Sequence, residues 1–104
     1  LTQLTHLYLG YNKLTDVKAL EKLTQLTVLN LDVNQLTNVK GLEKLRQLKA
    51  LYLHINQLTS VKGLEKLTNL TVLDIRYNYY LTKAQIDELK KALPKCKIQS
   101  NPKK

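Results

Sequence analysis

The same residues return every 22 positions along this chain. Leu1, Leu23, Leu45 and Leu67 open four blocks, Leu4, Leu26, Leu48 and Leu70 follow at the same offset, and Asn12, Asn34, Asn56 and Asn78 form a third series without slippage. A period of that length marks one small supersecondary unit repeated in tandem, because it is too long for a single element and too short for a domain. Residues 23–44 read LTQLTVLNLDVNQLTNVKGLEK and residues 45–66 read LRQLKALYLHINQLTSVKGLEK. Each block holds a short alternating strand, as in Leu29-Asn30-Leu31, and then a return segment. One block cannot bury its own leucines. The blocks must therefore stack, with their strands side by side about 4.8 Å apart in a parallel sheet and the leucine columns filling one core. The repeated asparagines are expected to turn their amides inward and satisfy backbone groups where the chain leaves each strand, a structural role and not a binding one.

The string LxxLxLxxNxL occurs at Leu4–Leu14, Leu26–Leu36 and Leu48–Leu58, and again at Leu70–Tyr80 with Ile75 and Tyr80 replacing two leucines. With the return segment Val39-Lys40-Gly41-Leu42-Glu43-Lys44-Leu45, it resembles the 22-residue class of leucine-rich repeats found in bacterial internalins and in a protein phosphatase-1 regulatory subunit. The resemblance implies an α/β leucine-rich repeat solenoid, a curved right-handed superhelix. Short parallel strands would line its concave face, and irregular or 3-10 turns its convex face. The repeats would span 1–22, 23–44, 45–66 and a truncated 67–80. For function the family implies only a binding surface, because its members take many unrelated partners.

After Asn78 the period breaks. Thr82 with Gln85 forms a capping box, and Ile86, Leu89 and Leu93 share one helical face before Pro94 ends the pattern. A helix at about 83–93 and a short strand through Cys96 and Ile98 would form a C-terminal cap over 81–98, leaving 99–104 as a mobile tail. No matching cap precedes Leu1, so Leu1, Leu4, Leu7, Leu9 and Leu14 are expected to line an open apolar face suited to self-association. The start on Leu and the lack of Met suggest a processed, excised or designed chain.

Blocks two and three agree at 15 of 22 positions, and five of their seven differences fall where the family geometry points side chains onto the concave face. These are Thr27, Val28, Asn30, Asp32 and Val33 against Lys49, Ala50, Tyr52, His54 and Ile55. Exposed convex residues such as Gln35, Thr37, Lys40, Glu43 and Lys44 recur unchanged one block later. Neutral drift would not confine change to one face, whereas a recognition surface needs a constant frame with a varied front. The expected contact residues are Tyr8, Tyr11, Asn30, Asp32, Val33, Tyr52, His54, Ile55, Asp74, Arg76 and Tyr77, with the tyrosines as anchors. Tyr11, Val33, Ile55 and Tyr77 form one apolar stripe, unless the adjoining loops bury part of it.

Catalysis finds little support. Asp32, His54 and Arg76 share a column, but no serine or cysteine lies near enough to be activated, and a charge ladder across strands is the expected arrangement. His6 and His54 lie two repeats apart with no thiol or carboxylate cluster to complete a metal site. No cofactor is expected. The single Cys96 makes no internal disulfide and reads as a small packed side chain. Asn69-Leu70-Thr71 is a formal glycosylation sequon without a secretory context. No apolar run approaches the ~18 residues of a membrane span.

Net charge is +9, from 17 Lys+Arg and 8 Asp+Glu. Residues 81–104 carry seven lysines and two acids, so most of the excess sits on the cap and tail, where it aids solubility and weak polyanion contact. On the concave face Lys49 and Arg76 are offset by Asp32 and Asp74. These features point to a non-catalytic module that binds a protein partner through the concave face, with no small-molecule substrate. The alternatives are a fragment or engineered scaffold without a ligand of its own, and polyanion or nucleic-acid binding through the lysine-rich cap.

Overall fold

The leucine columns close into a single core because each short strand pairs with its neighbour in strict register. The computed structural model describes residues 3–101. Its strands are β1 (His6–Tyr8), β2 (Val28–Asn30), β3 (Ala50–Tyr52), β4 (Val72–Asp74) and β5 (Lys97–Gln99), joined in that order as one parallel sheet. Leu7, Leu29, Leu51, Leu73 and Ile98 lie side by side, and Leu29, Leu51 and Leu73 are fully buried. Ahead of each strand one hydrogen bond recurs. The N–H groups of Thr27, Lys49, Thr71 and Lys97 donate to the carbonyls of Thr5, Thr27, Lys49 and Thr71, each at 2.8 Å. The expected solenoid is therefore present, with its core between the sheet and the return segments.

The asparagines hold the successive turns together. Asn56 donates through Nδ2 to the carbonyls of Leu53 in its own repeat (3.1 Å) and Leu31 in the preceding one (3.0 Å), while its Oδ1 accepts the N–H of Leu36 at 3.0 Å. Asn34 and Asn78 make the same three kinds of bond. The carbonyl of Leu31 thus serves Asn34 and Asn56 at once. A buried amide with its donors and acceptor engaged is the only affordable polar group in such a core.

On the convex side, 3-10 turns occupy Lys18–Leu20, Leu42–Lys44 and Leu64–Lys66. The first is displaced relative to the others, and one residue explains it. Gly41 and Gly63 precede their turns at φ 102° and 105°, a conformation that costs little only without a Cβ. The equivalent Ala19 does not adopt it and instead lies inside its turn, which begins two repeat positions earlier.

The cap follows its sequence signals. Helix α1 (Lys83–Ala92) begins at Thr82, whose Oγ1 accepts the Gln85 N–H at 3.2 Å while Gln85 Oε1 accepts the Thr82 N–H at 2.9 Å. Gln85 Nε2 also donates to the Thr59 carbonyl (3.0 Å), tying the cap to the third repeat. Ile86, Leu89 and Leu93 are buried against the core. The boundary expected between cap and tail at 98/99 falls inside β5, because Gln99 belongs to that strand and its carbonyl accepts the Ile75 N–H at 2.9 Å. Asn101 Oδ1 accepts the Tyr77 N–H. Residues 102–104 of the expected tail, and Leu1 of the expected apolar end face, lie outside the described residues. Leu4, Leu7, Leu9 and Leu14 of that face are half-buried.

Candidate functional site

The concave face is the outward side of the sheet, and strand alternation decides which side chains reach it. With the leucines turned inward, one row reads His6, Val28, Ala50, Val72, Lys97 and the next Tyr8, Asn30, Tyr52, Asp74, Gln99. Sequence reasoning assigned four strands to this face; the structure places five. Lys97 and Gln99 were missed because the cap inserts three extra residues, so that Ile98 falls 25 positions after Leu73 and not 22. The alternation Cys96-Lys97-Ile98 was the available signal.

Beyond the strands lies the row Gly10, Asp32, His54, Arg76, and then Tyr11, Val33, Ile55, Tyr77. All four residues of the last row have left-handed backbone, at φ 61°, 57°, 58° and 61°. The turn is locked by hydrogen bonds from the N–H groups of Tyr11, Val33 and Ile55 to the carbonyls of Asp32, His54 and Arg76, at 2.9–3.0 Å. This corner lets the following asparagine turn inward, and it pushes the preceding side chain out. Tyr11 is 82% exposed, Ile55 42% and Tyr77 40%, while Val33 is half-buried. Of the stripe expected from the sequence, Tyr11 is thus open, while Val33, Ile55 and Tyr77 are each more than half buried. Tyr77 also packs edge-on against His54 and against Tyr79, with ring centroids 5.9 and 6.1 Å apart.

The polar residues are organised differently from a simple ladder. Asp32 Oδ1 accepts the His54 N–H at 2.7 Å, and its Oδ2 lies 3.5 Å from His54 Nδ1, close but without hydrogen-bond geometry. Arg76 does not extend this pairing across strands. It folds back on Asp74 of its own repeat, with Nε and Nη2 donating to Oδ1 and Oδ2 at 3.0 and 2.8 Å. Asp74, expected as a contact residue, is thereby buried to 4% exposure. Burial alone would raise its carboxyl pKa, but the Arg76 side-chain and backbone hydrogen bonds and the guanidinium charge outweigh this and hold it below the usual carboxylate value. Tyr8 is exposed, and Asn30, Asp32, Tyr52 and His54 are half-buried on the same surface. Of the expected site residues, all but Asp74 are at least partly accessible, and Asp74 is buried.

On this face the exposed Thr5 Oγ1 lies 3.0 Å from Nδ1 of its chain neighbour His6, and among the described residues no carboxylate forms an ion pair with that ring. Among the described residues no group of His, Cys, Asp and Glu is placed to hold a metal ion, and no helix is long and apolar enough to cross a membrane. Cys96 is half-buried in the cap, and burial raises its thiol pKa, the reverse of what a reactive thiolate requires. A groove of about 450 Å³ lies between α1 and the third repeat, lined by Ser60, Val61, Lys62, Glu65, Gln85 and Leu89 among others, away from the concave face.

Repeat, sheet and asparagine ladder together define the class. The family description "Leucine Rich repeats (2 copies)" matches residues 2–44 and 46–91, and the chain belongs to the leucine-rich repeat family. Among solved structures it is similar to a leucine-rich repeat protein of Leptospira interrogans, with 35% identity and TM-score 0.84 over 92% of this chain and 25% of that one. It is also similar to the internalin InlF of Listeria monocytogenes, with 28% identity and TM-score 0.85 over 97% of this chain and 31% of that one. Internalin C2 of the same organism shares the fold, at 24% identity and TM-score 0.87 over 96% of this chain and 43% of that one. The chain spans between 25% and 43% of the length of these three. No curated protein matches it by sequence. Leucine-rich repeat domains generally mediate protein–protein interaction, and proteins of this kind are generally non-catalytic.

Proposed function

We propose that the chain binds a protein partner through its concave face and performs no catalysis there. One observation carries this reading: Tyr11, Val33, Ile55 and Tyr77 hold bulky, largely apolar side chains at left-handed positions. Such backbone costs a residue with a Cβ roughly 1–2 kcal/mol, and a β-branched side chain is a genuine outlier there. Glycine or asparagine would relieve the strain. Tyr11 is mostly exposed and Ile55 and Tyr77 are exposed in part, so the strain at these positions is offset only partly by burial, which favours a role in contact. The constancy of the convex residues in blocks two and three supports the same reading. Five strands with their flanking positions supply roughly the 20–30 residues that one side of a standard interface uses.

The test is capture from extract with the tagged chain in three forms: wild type, Tyr52→Ala/Ile55→Ala on the concave face, and Lys40→Ala/Lys62→Ala on the convex face. Each is run at about 50 and about 200 mM salt, the span over which phosphate contacts weaken steeply. A protein retained by wild type and the convex variant at both salts, and lost by the concave variant, is the expected result. Equal capture by all three forms overturns the reading. If that equal capture disappears at the higher salt, the site moves to the lysine-rich cap.

A further inference from the structure

We infer that the partner presents an acidic surface to the concave face. This rests on the concave-face reading above and names the chemistry of what docks there. The accessible charge of the face differs from its formal balance. Asp74 is buried and held by Arg76, so that pair is internally neutralised. Asp32 keeps only 19% of its side chain exposed, and its two oxygens face the N–H and ring of His54 and the amide of Asn30. Neither acid is free to meet a partner.

The cations are placed otherwise. Lys49, just before β3, and Lys97, in β5, are exposed, and neither takes part in an ion pair among the described residues. Lys97 reaches this face because β5 joins the sheet, in register with Val72. Two strand spacings separate the two lysines, about 10 Å, which is also the distance between side chains two turns apart on a helix. Between them lie the exposed hydroxyl residue Thr71, whose backbone bonds to both neighbours, and the small apolar side chains of Ala50 and Val72, both half-exposed. The surface is thus a floor of small, uncharged side chains bounded by two uncompensated ammonium groups at one end of the strands. Ile55 and Tyr77 stand at the other end. Carboxylates beside an apolar anchor complement it. Nucleic acid fits less well, since stacking platforms interleave aromatic side chains with free cations, and here the two unpaired lysines stand at one end of the strands, Tyr11 and Tyr77 at the other, and the cation beside Tyr77, Arg76, is paired with Asp74.

The experiment selects binders to the immobilised chain from a display library of a small single-domain scaffold with one randomised exposed face. Each selected binder is then measured against wild type, Lys49→Glu/Lys97→Glu and Tyr52→Ala/Ile55→Ala, with thermal melts to establish that all three chains are folded. The expected binders are enriched in Asp and Glu, weaken at least about tenfold (about 1.4 kcal/mol) on charge reversal, and are lost on the apolar variant. Binders that need Tyr52 and Ile55 but show no acid enrichment and ignore charge reversal overturn this inference and leave the concave face as the site. Binders indifferent to both variants overturn both readings. A labelled single-stranded oligonucleotide that displaces the binders with comparable affinity overturns the acidic-protein assignment in favour of a polyanion.

Discussion

The first and third repeats use the same residues to different effect. Leu7 and Leu51 hold one position of the repeat, yet Leu51 is fully buried between β2 and β4 while Leu7, with a partner strand on one side only among the described residues, is half-buried. Asn12 and Asn56 are likewise equivalent, but Asn12 is exposed and, among the described residues, donates only to the Leu9 and Gly10 carbonyls of its own repeat. After the fourth repeat, β5 and α1 pack beside it, and Leu73, Asn78 and Leu81 are buried there. A residue's contribution in such a fold is thus set by the repeats beside it, as nearest-neighbour coupling requires.

The largest expected effect tests this directly. Leu51→Ala leaves a cavity between two repeats and is expected to cost about 3–4 kcal/mol, while Leu7→Ala, removing a half-exposed side chain, costs about 1–2. Denaturant unfolding of the two variants measures the difference, and equal losses would break the comparison. Next comes the ladder. Asn56→Ala strands the buried Leu36 N–H and takes one donor from each of the Leu31 and Leu53 carbonyls. About 2–3 kcal/mol is expected, against less than about 1 for Asn12→Ala.

These quantities were largely legible in the sequence, because the 22-residue spacing dictates which leucines align and which asparagines turn inward. The capping box at Thr82 and Gln85 was legible for the same reason, since local spacing determines local hydrogen bonds. What escaped was geometry that depends on a neighbour. The register of β5 follows from how α1 folds back, and so Lys97 and Gln99 were not assigned to the concave face. Arg76 chose Asp74 of its own repeat over the Asp32–His54 column, a competition between near-equivalent partners that spacing cannot rank. The left-handed corners were hidden because Val33 and Ile55 are residues that disfavour them.

Smaller effects sharpen the contrast. Thr82→Ala removes the N-cap of α1 and is expected to cost about 1 kcal/mol, read as a lowered melting temperature with earlier loss of the cap helix by circular dichroism. At the opposite end the sign reverses. Tyr11→Asn relieves left-handed strain at a side chain that buries almost nothing, and a gain of about 0.5–1 kcal/mol is expected. Ile55→Asn relieves similar strain but gives up a partly buried aliphatic group, so its net change should be near zero. A loss of stability at Tyr11→Asn would show that the exposed stripe helps the fold.

The smallest effect separates two residues in one column. Asn30 and Asp74 each accept the N–H of the residue two positions on, at 3.0 and 3.1 Å, so Asp74→Asn should preserve the turn. What it loses is the charge-assisted pair with Arg76, whose half-exposed guanidinium is screened by solvent. The sign follows from linkage. Because the folded Asp74 pKa lies below its unfolded value of about 3.9, its contribution is complete above that pH and is lost as pH falls through the folded value. Unfolding free energies measured from pH 7 downward should therefore show wild type slightly above Asp74→Asn near neutrality, with the two curves converging only below about pH 4. Curves that run parallel through the acid range would mean that the pair with Arg76 adds nothing to the fold. Asp74 would then differ from Asn30 in charge but not in role.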